Sequence, residues 1–398
     1  MHHTAHLALI FGFYGDTVAV LLNETQDCFR GKYSGKREGN VFFMNSNAIA
    51  AKQKADSSFR KRGVIFAMMS GVTYGLYTAF LTLGQASGVW GADWYGANTS
   101  GLSVFAVTFI LGSLGSAIND SISGIWCLIS VAIKGELMDF FRVLKTKPGR
   151  VMIVCALIGG PIASTCYVCA LQLGGSVIVP VAALNSALGA IIGHFVFKQE
   201  LNGRMILGIL VCLFAAAVIG GTSFANLGPT ALMGCGLALV CALGWGIEGA
   251  VAGFGTTLIE YNIGITIRQC TSGLSNLIIL LPILCLIDGN IGLEFNLLGT
   301  ALTDSSIIFF IISGLFAMPA YSFWYKGNSM CGAALGMVCN GMYAFWGPFW
   351  CMIVVGILGG HEGWILTPVQ WIMAVVMVIG IALVGNLNPL NLFKKKEA

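Results

Sequence analysis

Residues 151–197 read VMIVCALIGGPIASTCYVCALQLGGSVIVPVAALNSALGAIIGHFVF and contain no Asp, Glu, Lys or Arg. About 20 apolar residues cross a bilayer as a helix. The stretch therefore has room for two spans, which we place at 151–173 and 176–197. Arg150 precedes it and Lys198 follows it. Because Lys and Arg are retained on the cytoplasmic side of a membrane, both ends of this helical hairpin are predicted to lie inside.

The rest of the chain also consists of apolar spans separated by loops that alternate between basic and free of bases. Further spans are predicted at 63–84, 104–132, 204–221, 231–254, 264–287, 305–325, 331–357 and 368–386. The loop after 264–287 has acids and no base, whereas the C-terminal tail carries Lys394, Lys395 and Lys396. Hydrophobic residues make up 57% of the chain and charged residues 10%, against roughly 25% charged in soluble domains. We expect an all-α polytopic protein of the inner or plasma membrane, with ten transmembrane helices and a cytoplasmic C-terminus.

The two ends of the chain are predicted to lie outside the helical core. Residues 1–62 form an N-terminal extension and cytoplasmic linker, and residues 389–398 form a basic cytoplasmic tail. Residues 7–22 are apolar but short and are interrupted by Asp16. The sequence leaves open whether they span the membrane, and whether the native protein starts at Met1 or at Met44.

An internal repeat relates the two halves of the core, 63–222 and 229–388. Tyr74-Gly75-Leu76 corresponds to Trp245-Gly246-Ile247, and Leu184-Asn185-Ser186 corresponds to Cys339-Asn340-Gly341. Five helices per copy is an odd number, so the second copy enters the membrane from the opposite side. Inverted repeats of this kind are the architecture of many secondary transporters, whose substrate sites lie between the repeats.

The chain also resembles a known family in its first half. The relevant stretches are Tyr167–Ser176, Ala183–Ala190, Phe197-Lys198-Gln199-Glu200 and the glycine-punctuated helix from Gly208 to Gly220. They look like the end of an EamA domain of the drug/metabolite transporter superfamily. In the second half Glu362 stands about three residues out of register with Glu200. The resemblance implies ten helices with both termini cytoplasmic. It further implies transport of small metabolites, driven by an ion gradient or by the substrate's own gradient.

Charged side chains within the predicted spans are the first candidates for the site. Glu248 and Arg268 lie ten residues before and after a turn centred near residue 258, which allows an ion pair at equal depth. Ionisable residues inside a membrane are functional by default, although a structural pair or an Arg268 that extends to the inner face would fit the same pattern. Asp120 lies near midplane if its span is 104–132, and merely near the inner rim if the span is a shorter, outer part of that stretch.

Polar and aromatic side chains at repeat-related positions complete the predicted site. Asn185 and Asn340 would orient a polar substrate from opposite halves, or else hydrogen-bond between helices. Tyr74, Tyr77 and Trp245 would form aromatic walls, or else pack as ordinary core residues.

Several classes of function are not favoured by the sequence. It has no catalytic nucleophile motif, nucleotide-binding loop or dinucleotide fingerprint. The net charge of +4 is assigned to the cytoplasmic rim rather than to nucleic-acid binding. Cys166-x-x-Cys169 lacks the second pair of ligands that a metal site needs.

We therefore predict a secondary transporter that moves an amino acid, a sugar or a drug-like compound by alternating access. We expect no enzymatic activity and no cofactor. The expected partners are the lipid bilayer, the small-molecule substrate and a coupled proton or other ion if the transport is coupled. A membrane enzyme acting on a lipid-like substrate and a non-transporting scaffold or sensor are the alternatives. The sequence leaves the substrate, the direction of transport, the coupling ion and the oligomeric state open.

Overall fold

A computed structural model describes residues 46–96, 99, 101–197, 202–226, 228–255, 258–331, 333–361, 364 and 366–384. Contacts divide the chain into two units, Met1–Ala55 and Asp56–Ala398, and the site discussed below lies in the second. Within the described residues every regular element is helical. The predicted segment 7–22, Glu200, Glu362 and the tail 389–398 lie outside them.

Fourteen helices are numbered along the chain. They are α1 (Ser46–Ala86), α2 (Ala106–Ile133), α3 (Leu137–Leu144), α4 (147–174), α5 (Ile178–Ala182), α6 (Asn185–Phe197), α7 (Gly203–Asn226), α8 (Gly228–Gly255), α9 (Tyr261–Ile287), α10 (Leu293–Thr303), α11 (Ile307–Cys331), α12 (Ala333–Asn340), α13 (343–358) and α14 (Pro368–Val384). Helices α2, α4, α9 and α13 each contain a π-helical turn.

The described residues include seven helical stretches that are long and apolar enough to cross a membrane. They are Lys61–Ala86, Ala106–Ile133, Lys147–Ala182, Thr230–Ala252, Tyr261–Ile287, Ile307–Cys331 and Gly336–Leu358. Two shorter apolar helices, Gly203–Ile219 and Pro368–Leu383, coincide with two further predicted spans. The protein is therefore an all-helical, membrane-spanning protein, and the count of ten spans stays a prediction.

The stretch 147–182 changes direction at Gly175, whose φ of +61° is a conformation that side chains other than glycine rarely adopt. A Cβ on Gly234 of α8 would contact Gly174, and one on Gly244 would contact Ala163. One on Gly246 would contact Gly189 of α6. Toward the C-terminal end of α8, the contacts move back along α4, from Gly174 to Ala163, and then reach Gly189 of α6. The chain therefore runs in opposite directions before and after Gly175. This is the helical hairpin expected from residues 151–197.

Helix α1 differs from the prediction at its start. Residues 46–62 were predicted as a linker, but they are helical and continue into the span. The segment AIAAKQKA is rich in Ala, Lys and Gln, which have high helix propensity. The polar composition of residues 46–62 indicated a linker, whereas the helix propensity of the same residues favours a helix.

One end of the helical unit carries lysines together with Glu136 and Glu260, and the other end carries Asp288. At one end Lys326 Nζ lies 4.1 Å from the ring centroid of Phe66 and 5.1 Å from that of Tyr261. Lys134 Nζ lies 5.6 Å from the same Tyr261 ring. At the other end Ser103 Oγ donates a hydrogen bond to Asp288 Oδ1 at 2.5 Å. Which of the two ends faces the cytoplasm stays a prediction from the sequence.

Candidate functional site

Arg268 and Glu248 form a buried ion pair. Arg268 Nε donates to Glu248 Oε1 at 2.9 Å, and Nη2 lies 3.4 Å from Oε2. Both side chains have no exposed surface, so Arg268 does not extend to a membrane face. Their equal distance from the turn between α8 and α9 produces the pairing that the spacing predicted.

Asp120 is the third member of this ionic cluster, which consists of Asp120, Glu248 and Arg268. Its Oδ2 lies 3.6 Å from Arg268 Nη1, and its side chain is 1% exposed. Helix α2 packs along α9, and Ser272 of α9 donates a hydrogen bond to the same Oδ2. Asn119 Nδ2 lies 3.3 Å from Oδ1. One guanidinium thus lies between two carboxyl groups.

The remaining donors of Arg268 bond to helices α4 and α9. Nη2 donates to the carbonyl of Gly159 at 2.9 Å and to Ser164 Oγ at 3.1 Å, and Nη1 donates to Gln269 Oε1. Gly159 and Ser164 belong to the π-helical turn Ile158–Ser164 of α4. Such turns inside α-helices often occur at functional sites. Every nitrogen of the buried guanidinium therefore has a partner.

Two consecutive glycines allow α4 to approach the ionic cluster. A Cβ on Gly159 would lie 1.8 Å from Glu248 Oε2, and one on Gly160 would lie 2.1 Å from Ser272 Oγ. Real side chains do not approach this closely. The Glu248 carboxylate and the Ser272 side chain can therefore occupy this space only because residues 159 and 160 lack side chains.

Six buried aromatic residues lie directly beside the ionic cluster. This aromatic cluster consists of Tyr74, Tyr77, Tyr167, Trp245, Tyr321 and Tyr343. Tyr74 is its centre, because its ring contacts each of the other five at centroid distances of 4.5 to 6.1 Å. Many of these pairs are edge-to-face or tilted, which suits the charge distribution of aromatic rings.

Two contacts join the aromatic and ionic clusters. The Tyr321 ring centroid lies 4.4 Å from Arg268 Cζ, a cation–π distance. Trp245 Nε1 donates to the Gly159 carbonyl at 3.0 Å, and this is the oxygen that also accepts from Arg268. A change at either cluster therefore affects the other directly.

Within the described residues, three hydroxyl groups of the aromatic cluster have no hydrogen-bond partner outside it, and those of Tyr74 and Tyr321 lie near one another. They belong to Tyr74, Tyr321 and Tyr343, each at most 4% exposed. Trp324 Nε1, on the helical turn after Tyr321, is also buried without a partner. A buried polar group without a partner costs about 1–3 kcal/mol. The hydroxyls therefore offer donors and acceptors to a polar ligand that enters the cluster.

Asn185 and Asn340 are both buried, but they make different hydrogen bonds. Asn340 Nδ2 donates to Ser70 Oγ at 2.5 Å, and Ser70 Oγ donates to the Ala320 carbonyl at 2.7 Å. This connection between α12, α1 and α11 is the interhelical alternative considered for Asn340. Among the described residues, Asn185 Oδ1 accepts a long 3.3 Å hydrogen bond from Ser186 Oγ, its neighbour in the chain.

Several residues of the site were not identified from the sequence. Tyr321 stacks on Arg268, and Tyr325 OH donates to Glu248 Oε1 at 3.3 Å. Tyr321 and Tyr325 are four residues apart on α11 and so share a helix face. This spacing is the sequence signal that could have identified them. Gln269 and Ser272, on α9, were also not predicted as site residues, because single Gln and Ser residues are common in membrane spans.

Among the residues that the structure describes, no three His, Cys, Asp or Glu side chains are grouped to hold a metal ion. No family model matches the chain, and no curated protein matches it. A solved structure described only as "Crystal structure of protein" is similar to this chain with 18% sequence identity and a TM-score of 0.49. The alignment covers 82% of this chain and 99% of that one.

Proposed function

We propose that this protein is a secondary transporter that moves a small polar metabolite across the inner or plasma membrane by alternating access. The observation that carries the proposal is the continuity of the buried ionic and aromatic clusters inside the membrane-spanning unit. A structural protein gains little from two buried carboxyl groups around one guanidinium, because ion pairs out of water cost desolvation energy. Such groups within spans usually serve ligand or ion binding.

The substrate would bind at the aromatic cluster, against Tyr74, Tyr77 and Trp245. The hydroxyls of Tyr74, Tyr321 and Tyr343 would hydrogen-bond to it. Arg268 would meet an acidic group of the substrate, or Glu248 a basic one, when their own ion pair opens. Asn185 would orient the substrate from α6, whereas Asn340 would mainly hold α12 against α1. Amino acids, sugars and drug-like compounds remain the candidate substrates.

The architecture proposed for this function is ten spans in two inverted five-helix repeats of the EamA type, with no enzymatic step. Interrupted helices support it. The helix of the first half breaks between α5 and α6 at residues 183–184, and that of the second half breaks between α12 and α13 at 341–342. The two broken helices pack on one another, α5 on α13 and α6 on α12. Paired discontinuous helices at a repeat interface are typical of transporter substrate sites.

The proposal is tested by thermal unfolding of the detergent-purified full chain in the presence of amino acids, sugars, polyamines and nucleosides. A ligand that binds only the folded state raises the melting temperature, and at a concentration of 100 times its Kd the gain is about 2.7 kcal/mol. We expect a hit that weakens in Tyr74→Phe, which removes one buried hydroxyl. Tyr95→Phe is the matched control, because the Tyr95 hydroxyl is also buried but lies beside the Gln85 amide, outside the cluster.

Counterflow of the radiolabelled hit in proteoliposomes then establishes transport. Binding without counterflow would contradict the transporter proposal and favour a sensor. The absence of any hit, for a protein that unfolds cooperatively, would contradict a polar substrate and favour a lipid-like one.

A further inference from the structure

The ionic cluster has more acids than bases. Asp120, Glu248 and Arg268 are each at most 1% exposed. In the described part of the chain, Arg268 is the only base within 4 Å of either carboxyl group. With both acids ionised the cluster would carry one uncompensated negative charge within the membrane, which is strongly unfavourable. One further positive charge must therefore be held there in the state that the structure describes.

The two carboxyl groups are not equivalent. Glu248 receives Arg268 Nε at 2.9 Å and Nη2 at 3.4 Å, and its Oε1 also accepts from Tyr325 OH. It therefore has the environment of an ionised carboxylate. Asp120 lies 3.6 Å from Arg268 Nη1, beyond hydrogen-bond distance, and that nitrogen donates to Gln269 instead. The hydrogen-bond partners of Asp120 are neutral, namely Ser272 and Asn119.

We propose that Asp120 reversibly binds the proton that couples transport to the proton gradient, while Glu248 remains the counter-ion of Arg268. The coupling role rests on the proposed transport function, but the proton site itself does not. Asp120 takes its proton from water and becomes a neutral carboxylic acid, and it returns the proton to water when the carboxylate forms again.

The surroundings of Asp120 favour a proton over a metal cation. The charged and titratable groups that face it are Arg268 on α9, Tyr321 on α11 and Tyr77 on α1, with Glu248 on α8 beyond the guanidinium. A sodium ion at Oδ2 would lie close to the like charge of Arg268. A proton adds no volume, and the protonated carboxyl group can still hydrogen-bond to Ser272.

Loss of the proton would change the substrate site through Arg268. An ionised Asp120 attracts Nη1, so the guanidinium moves away from Glu248 and from the Tyr321 ring. Because Tyr321 contacts Tyr74 at 5.9 Å and Tyr77 at 6.3 Å, this movement would reach the aromatic cluster. Proton binding and substrate binding would thus change each other's affinity, as linkage requires.

The proton site can be tested without a known substrate, by infrared difference spectroscopy of the lipid-reconstituted full chain during a pH titration. We expect a carbonyl-stretch band of a protonated carboxylic acid that disappears as the pH rises. It should be absent in Asp120→Asn. Addition of Na⁺ at constant pH should leave it unchanged, and a band removed by Na⁺ would overturn the choice of a proton.

Two conservative variants identify which acid gives the band. Ser272→Ala removes a hydroxyl that contacts Asp120, and Tyr325→Phe removes one that contacts Glu248. We expect the first to shift the frequency of the band and the second to leave it in place. The reverse result would assign the proton to Glu248 and overturn the proposal, as would the lack of any such band in the wild type.

The outcomes separate this inference from the proposed function. A band that behaves as expected in a protein without ligand binding would support the proton site and contradict transport. A transported ligand combined with no band from Asp120 would contradict the proton site alone.

Discussion

At the scale of single residues, Arg268 holds the site together. Its three nitrogens contact side chains or carbonyls of α2, α4, α8 and α9, and its guanidinium lies against Tyr321 of α11. Because its contacts reach five helices, this one side chain is both an electrostatic and a packing element.

Removal of this side chain should strongly destabilise the fold. Arg268→Ala leaves the buried Glu248 carboxylate without its counter-ion, and breaking a buried pair costs about 3–5 kcal/mol. The measurement is the melting temperature of the purified protein. Arg142→Ala is the control, because Arg142 and Asp139 form an exposed pair at 2.9 Å, and exposed pairs contribute at most about 1 kcal/mol.

The double variant Glu248→Gln, Arg268→Gln distinguishes charge from volume. It removes both charges of the pair but keeps polar side chains of similar size. It should be less destabilised than Arg268→Ala, and equal losses would show that packing rather than charge dominates.

The residue scale also shows what the sequence could and could not predict. Glu248 and Arg268 were predicted to pair because sequence spacing around one turn determines their relative depth. The pairing of Asp120 with them depends on how α2 packs along α9, which no local pattern encodes. The same holds for the ring of Tyr321, which becomes a cation–π partner only once α11 packs beside α9.

At the scale of elements, the π-helical turn of α4 is the feature that joins the two clusters. The Gly159 carbonyl accepts from Trp245 Nε1, Arg268 Nη2 and Ser164 Oγ. Pro161, within this turn, has no N–H to donate. Because Gly159 and Gly160 have no side chains, the π-helical backbone of this turn can pack directly against α8 and α9.

Gly159→Ala should displace the Glu248 carboxylate, since the added Cβ would lie 1.8 Å from its Oε2. Overpacking of this kind costs about 1–3 kcal/mol, and ligand-induced stabilisation should be lost with the displaced carboxylate. Both are measured by thermal unfolding with and without the ligand found in the screen.

Gly236→Ala is the matched control on α8, because nothing lies within 4 Å of a Cβ there. It should leave ligand binding unchanged and stabilise the protein by about 0.4–1 kcal/mol, through the lower entropy of the unfolded chain. Equal effects of the two substitutions would show that the response at Gly159 is not specific to its site.

Hydropathy predicted most of the helices, but not two helix breaks and not the start of α1. The length of apolar runs and the charge of the loops placed most of the predicted span boundaries close to the ends of observed helices. They did not predict the breaks at residues 183–184 and 341–342, because apolar residues continue through both positions. They also missed the helix at 46–62, where a charged sequence has high helix propensity.

At the scale of the whole molecule, the lysines at one end of the helical unit should fix its orientation in the membrane. Lys134 and Lys326 lie at the end that we expect in the cytoplasm, and Asp288 lies at the other. With ten spans, the segment before α1 and the C-terminal tail are on the same side, whereas an odd number would separate them.

Reporter fusions test this orientation. A reporter fused after Ala398 should be active only as a cytoplasmic reporter, and one inserted after Gly289, in the turn between α9 and α10, only as an external one. Both reporters on the same side would contradict the three spans predicted between them, whereas both reporters inverted would contradict only the orientation.

The depth of Asp120 has an electrical consequence. Asp120 lies 14 residues after the start of α2 at Ala106, which is about half of that helix, or about 21 Å at the helical rise. A proton that reaches it from the Asp288 end of the molecule would cross about half of the membrane potential or more. That step is worth about 1.2 kcal/mol per 100 mV. The occupancy of Asp120 would then depend on voltage as well as on pH, and an inside-negative membrane would favour proton entry from outside.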